Sequence, residues 1–212
     1  QNFMTSTYTP LGVELMVTGE NAGTWGTKTN TNLNLVEQIS GGYAVQTLNA
    51  AGTGANTTTL AKADGALNAT VASRVIILGA VSAQAITGNK IITMPVLTEN
   101  FYLIKNSTSG SYTVQIKAAS GSGATVTWAT GDKDWRILYF DGVATNTGVY
   151  DTGFGAATAA AGSNTQIQYN SSSAFAGSAN LVFDGTNVTA AGIVTAQGGQ
   201  LSTTGKSFVM GF

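Results

Sequence analysis

Hydrophobic residues in this chain fall mostly in short alternating runs, not in helical stripes. Alternation sends successive side chains to opposite faces of a strand, so such a run predicts one buried face and one wet face. Near the N-terminus Leu11, Val13, Leu15 and Val17 alternate with Gly12, Glu14 and Met16, which predicts a strand ending at Thr18-Gly19. Residues 20–23 carry turn chemistry. One segment departs from the two-residue period. Leu33, Val36 and Ile39 recur at helical spacing, behind Asn30 and Thr31 and ahead of Gly41-Gly42. Asn or Thr caps a first turn by accepting from its free N–H groups, and glycine ends a last one, so a single helix is predicted here.

From 41 to 152 the pattern predicts β structure throughout. Strands are expected at 43–48, 71–78, 90–94, 101–105, 112–117, 124–128, 135–140 and 143–150, separated by clusters of Gly, Asn, Ser, Thr and Asp. Tyr112, Val114 and Ile116 alternate with Thr113, Gln115 and Lys117, the signature of a half-buried antiparallel strand. The run at 101–105 is expected to pair with 112–117 as a hairpin across 106–111. Asp141-Gly142 is expected to join 135–140 to 143–150. Many short strands at regular spacing predict an antiparallel β-sandwich or jelly-roll-like domain over 41–152. Trp128, Trp135, Phe101 and Tyr139 are expected to fill its core.

Residues 153–162 are almost entirely Gly and Ala and mark a boundary. Beyond it, over 163–212, come the short runs Gln166-Ile167-Gln168-Tyr169 and Asn180-Leu181-Val182-Phe183, the latter closed by the turn Asp184-Gly185-Thr186-Asn187. The pattern continues through Ile193-Val194, Leu201 and Phe208-Val209-Met210. Such strands hold too few large apolar residues for a core within one chain, but laid against copies of themselves they would share one. Ile167, Tyr169, Phe175, Leu181 and Phe183 are the candidate shared core. A solvated Gly/Ser/Asn linker would have no use for them.

Composition narrows the chemistry. Of the 212 residues only 9% are charged, while 43% are hydrophobic. The usual charged share is about 25%, so hydroxyls and amides must carry solubility here. Net charge is −1 and the nine basic residues are scattered, which leaves no basic stripe to track a phosphate backbone. The absence of Cys and His removes thiolate nucleophiles, disulfides, common zinc sites and the Ser-His-Asp triad. Asp132 and Asp134 are the best acid pair, with Glu99 and Asp141 elsewhere, but Gly131-Asp132-Lys133-Asp134 has the composition of a turn. Gly52-Thr53-Gly54-Ala55-Asn56 lacks the Lys of a phosphate loop. Asp64, Asp151 and Asp184 are too dispersed for a calcium loop. No catalytic, cofactor-binding or metal-binding residue is nominated, and no cofactor is expected. The longest apolar run, 75–81, is far short of the roughly twenty residues of a membrane span, so no membrane insertion is expected. Residues 1–11 lack the regions of a signal peptide, and Met4-Thr5-Ser6 reads as a start.

Two phrases carry a resemblance. Glu20-Asn21-Ala22-Gly23-Thr24-Trp25-Gly26, followed by Asn30, Asn32 and Leu33, resembles the N-terminal segment of marine phage tail fibre proteins. Asn164-Thr165-Gln166-Ile167-Gln168-Tyr169-Asn170, with Ala174-Phe175-Ala176-Gly177 and Asp184-Gly185-Thr186, resembles phage fibre shafts. The likeness implies a structural virion protein with no enzymatic activity, a homotrimer located in the phage tail. It implies a tail-attachment segment at 1–40, with Trp25, Leu33, Val36 and Ile39 facing tail adaptor or nozzle proteins. An intertwined trimeric β shaft is implied to begin at 163, with host glycan or protein bound through a more distal region. The chain then stops in mid-shaft. The alternatives are a bacterial cell-surface adhesin, which calls for an export signal, and a polysaccharide-degrading tailspike, which calls for a large β-helix bearing an acid pair.

Overall fold

The computed structural model describes residues 5–49, 56–154, 160–196 and 199–202. The chain divides into two compact units, Gln1–Ala156 and Ala157–Phe212, so the division falls within the Gly/Ala stretch. The structure is mainly β with one α-helix among the described residues.

Unit 1 opens with two short paired strands, β1 (Thr7–Tyr8) and β2 (Glu14–Leu15), so most of the strand expected over 11–17 is irregular. Helix α1 (Trp25–Gly41) follows. It begins more than a turn earlier than the capping residues predicted, with Thr24 at its N-cap, and ends at Gly42 as expected. Then come β3 (Tyr43–Gln46), β4 (Asn56–Thr59), a 3-10 turn at Thr70–Ala72, β5 (Val75–Ala85) and β6 (Lys90–Met94). They are followed by β7 (Glu99–Ser109), β8 (Val114–Ala118), β9 (Val126–Trp128), β10 (Trp135–Asp141) and β11 (Val149–Asp151).

These strands form two sheets, in the orders β11-β10-β7-β5-β3 and β4-β6-β8-β9. From β3 to β8 each strand joins the opposite sheet from its predecessor, and same-sheet neighbours run parallel. The chain therefore winds three times, as a solenoid does, before β9, β10 and β11 close it with antiparallel pairings. This corrects the antiparallel sandwich or jelly roll expected from sequence. Alternation tells which residues face inward but not which strand lies beside which.

The expected hairpin of 101–105 with 112–117 does not form, because β7 and β8 belong to different sheets. The turn-like Asn106-Ser107-Thr108 instead lies buried within β7. Its polar atoms are satisfied at long range: the Asn106 amide donates to Asp132 O (2.8 Å), and the Ser107 hydroxyl to Ala80 O (2.5 Å). The Thr108 hydroxyl donates to Asn106 Oδ1 (2.8 Å). Strands β10 and β11 do pair as a hairpin, through a longer loop than Asp141-Gly142 implied.

The core lies between the sheets. Ile76, Leu78, Tyr102, Ile104, Leu138 and Phe140 from one meet Ile92, Met94, Val114, Ile116 and Trp128 from the other. Tyr102 and Phe140 meet edge to face, with ring centroids 5.6 Å apart. The Tyr102 hydroxyl donates to Val71 O (2.8 Å), and burial pushes its pKa up to about 12. Gly79 sits where β5 bulges against β7, with φ +109°; a Cβ there would lie 2.2 Å from Ser107 O. No other residue fits so close an approach. Phe101, Trp135 and Tyr139, expected in the core, point the other way and are 47%, 45% and 40% exposed.

Unit 2 holds the antiparallel meander β12 (Gln166–Ser171), β13 (Ala174–Phe183) and β14 (Val188–Ala190), then the hairpin of β15 (Ile193–Ala196) and β16 (Gly199–Ser202). The predicted turn at Asp184 joins β13 to β14: its carboxylate accepts from the N–H of Thr186 (2.8 Å) and of Asn187 (2.7 Å). Those two backbone donors hold the Asp184 pKa below its ordinary value. The run at 208–210, the start at Met4 and most of the Gly52 phrase lie outside the described residues.

Candidate functional site

Helix α1 is fixed by a polar clamp. Lys28, Asn32, Leu35 and Ile39 recur at spacings of four, three and four, which places them on one side of a helix. The Asn32 amide donates to Glu14 O (2.9 Å) while its Oδ1 accepts from Glu14 N (3.0 Å), so one side chain closes both backbone groups of a β2 residue. The Lys28 ammonium lies 3.0 Å from Glu14 Oε2. Asn21, held at φ +63°, donates to Glu14 Oε1 (3.3 Å). Glu14 is 5% exposed, and the Lys28 hydrogen bond holds its carboxyl below the ordinary value against the opposing effect of burial. Beyond the clamp, Leu35 packs with Ala69 and Ala72, with Val13, Ile39 and Ala63 against them.

The inward face of α1 is thus centred on the buried Leu35, not on the Leu33–Val36–Ile39 stripe, because half of it is polar and carries no hydrophobic signal. Ile39 turns inward, away from the proposed tail-facing set. The other three members come together outside: Trp25 is 64% exposed, Leu33 62% and Val36 55%. At about 100° per residue, Val36 lies roughly 20° and Leu33 roughly 80° around the helix from Trp25, so they form one stripe. The resemblance phrase therefore separates into two parts. Asn21, Thr24 and Asn32 are engaged within the fold, whereas Trp25 and Leu33 are turned to solvent.

In unit 2, none of the side chains described over 160–192 is buried. Among the described residues these strands enclose no core, and the two core clusters lie in unit 1. Register places Ile167 opposite Ser178 and Tyr169 opposite Ala176, on one face of β12–β13. Phe175 lies opposite Asn170 on the other face. Past an irregularity at Gln166/Ile167, Leu181 and Phe183 share a face with Ala190 and Val188. The five candidate shaft residues therefore do not make a single row. Four remain solvent-facing: Tyr169, Phe175, Leu181 and Phe183.

The acid pair sits in a different setting from a cleft. Asp132 and Asp134 share the Arg136 guanidinium, at 3.1 and 3.5 Å, and Asp151 joins from β11 at 3.2 Å. Asp132 also accepts from Ala129 N (3.1 Å), as a turn residue does. Among the described residues no group of His, Cys, Asp and Glu is arranged to hold a metal ion, and no helix is long and apolar enough to cross a membrane. No family model, curated protein or solved structure matches this chain.

Proposed function

We propose that this chain is the tail-proximal part of a homotrimeric phage tail fibre, in which the Trp25 stripe meets the tail and unit 2 begins the shaft. The observation that carries the reading is a meander of well-formed strands with no interior of its own. Strands that expose Tyr169, Phe175, Leu181, Phe183 and Val188 present apolar surface that copies of the same strands would cover. Threefold copy number and phage origin rest on the two sequence phrases. The exposed Trp25 fits an attachment role, since Trp is enriched where interfaces concentrate their binding energy.

The test uses the 212-residue chain. Its mass in solution should be three times 21.5 kDa. A variant lacking residues 4–40 should remain trimeric yet fail to decorate fibreless particles, and Trp25→Ala should decorate them poorly. A monomeric 212-residue chain would sink the fibre reading, and normal decoration by the deletion variant would sink the attachment role.

A further inference from the structure

The five-stranded sheet of unit 1 is apolar on both faces. Its inner rows, with Ile76, Tyr102 and Phe140, fill the core. Its outer rows are set by register: Tyr43 beside Val75 beside Leu103 beside Ile137, and Phe101 beside Tyr139 beside Tyr150. Parallel strands whose two faces both read apolar are normally covered on both sides. Here α1 packs elsewhere, against the 3-10 turn, and the outer face stays open. Its ring residues are well exposed: Tyr43 56%, Phe101 47%, Trp135 45%, Tyr139 40% and Tyr150 48%, with Phe154 at 70% lining a groove against Leu103 and Ile137. At roughly 200 Å² per aromatic side chain, the open aromatic area is about 600 Å². That is at or above the largest patch usual on a monomer, and close to the roughly 800 Å² per partner of a standard interface.

We propose that this outer face is a contact between copies of the chain, so that unit 1 as well as unit 2 joins the assembly. The partner is a second copy for two reasons. The face carries no net excess of one charge to repel a like face. The Arg74 guanidinium lies 3.9 Å from the Phe101 ring centroid and the Lys105 ammonium 5.8 Å from that of Trp135, and the acids Glu99 and Asp141 stand in register on the same two strands. The second reason rests on the fibre reading: copies gathered by unit 2 are covalently tied to unit 1, which raises the effective concentration of one sheet face for another.

The 212-residue chain has no cysteine, so single substitutions give unique cross-linking sites. The Tyr139→Cys and Phe101→Cys variants of that chain, treated with a short bifunctional maleimide, should yield linked copies, whereas Asn34→Cys on the helix should not. Tyr139→Glu in the same chain, with β circular dichroism retained, should raise the assembly midpoint concentration at least tenfold. An assembled chain that is left unlinked at both positions, or is unmoved by Tyr139→Glu, overturns this inference and leaves the fibre reading standing. A chain that is monomeric throughout overturns both. If Tyr139→Glu does not fold, the cross-linking decides alone.

Discussion

Phe183→Ser offers the most direct measurement of what unit 2 lacks. Phe183 is 47% exposed, in register with Val188 at the end of the meander. Burying that open half, about 90 Å² of a ring residue, contributes about 2.3 kcal/mol per copy at 25 cal/mol per Å². The substitution occurs three times in a trimer, so the assembly loses about 7 kcal/mol, or about five powers of ten in its association constant. Three-chain assembly depends on the square of concentration, so the midpoint should rise about 300-fold by that arithmetic. The assay is sedimentation with β circular dichroism across a dilution series of a peptide covering 163–212, alone and fused to a trimerising tag. The free peptide should be disordered at micromolar concentration. The tagged peptide should gain β signal and protease resistance, and Phe183→Ser should abolish both. A folded, monomeric peptide would refute the reasoning, because it would mean that a meander without buried residues is stable by itself.

Other predictions concern unit 1. Lys90 is 1% exposed, and among the described residues its ammonium has no hydrogen-bond partner; Lys90→Met keeps the packed stem and removes the charge. It should stabilise the unit by about 1–3 kcal/mol, raising Tm by about 2–4 °C per kcal/mol in thermal unfolding; a loss of stability would show that the ammonium is satisfied. Asn32→Ala removes both hydrogen bonds to the Glu14 backbone and should cost about 1–2 kcal/mol, seen as faster amide exchange at Glu14 with the core protected. The folded Glu14 pKa lies below its ordinary 4.5, so its contribution is complete above that value and is lost as pH falls through the lower folded one. Lys28, raised above 10.5 by Glu14, contributes fully below 10.5 and loses its share as pH rises through the raised value. Limited proteolysis of residues 5–24 should therefore accelerate at both extremes, and Glu14→Gln should flatten the acid arm.

Local pattern determined a good deal of this protein. The strand at 90–94, the helix stop at Gly42 and the Asp184 turn follow from side-chain alternation, glycine geometry and short-range hydrogen bonds, and these need no distant partner. That no described side chain over 160–192 is buried was legible too, because large residues are sparse in these short strands. What tertiary structure decided was partnership. Alternation is the same for a strand in either sheet, so the parallel winding of β3 to β8 was not encoded locally. Asn106-Ser107-Thr108 reads as a turn until Asp132 and Ala80 arrive from elsewhere in the chain to satisfy it. Half of the inward face of α1 is Lys28 and Asn32, half-buried polar residues whose partner Glu14 is held opposite by the fold. Phe101, Trp135 and Tyr139 alternate with core residues as regularly as core residues themselves do. Which of the two apolar faces of that sheet points inward is settled only by the second sheet, which covers one face and leaves the other open.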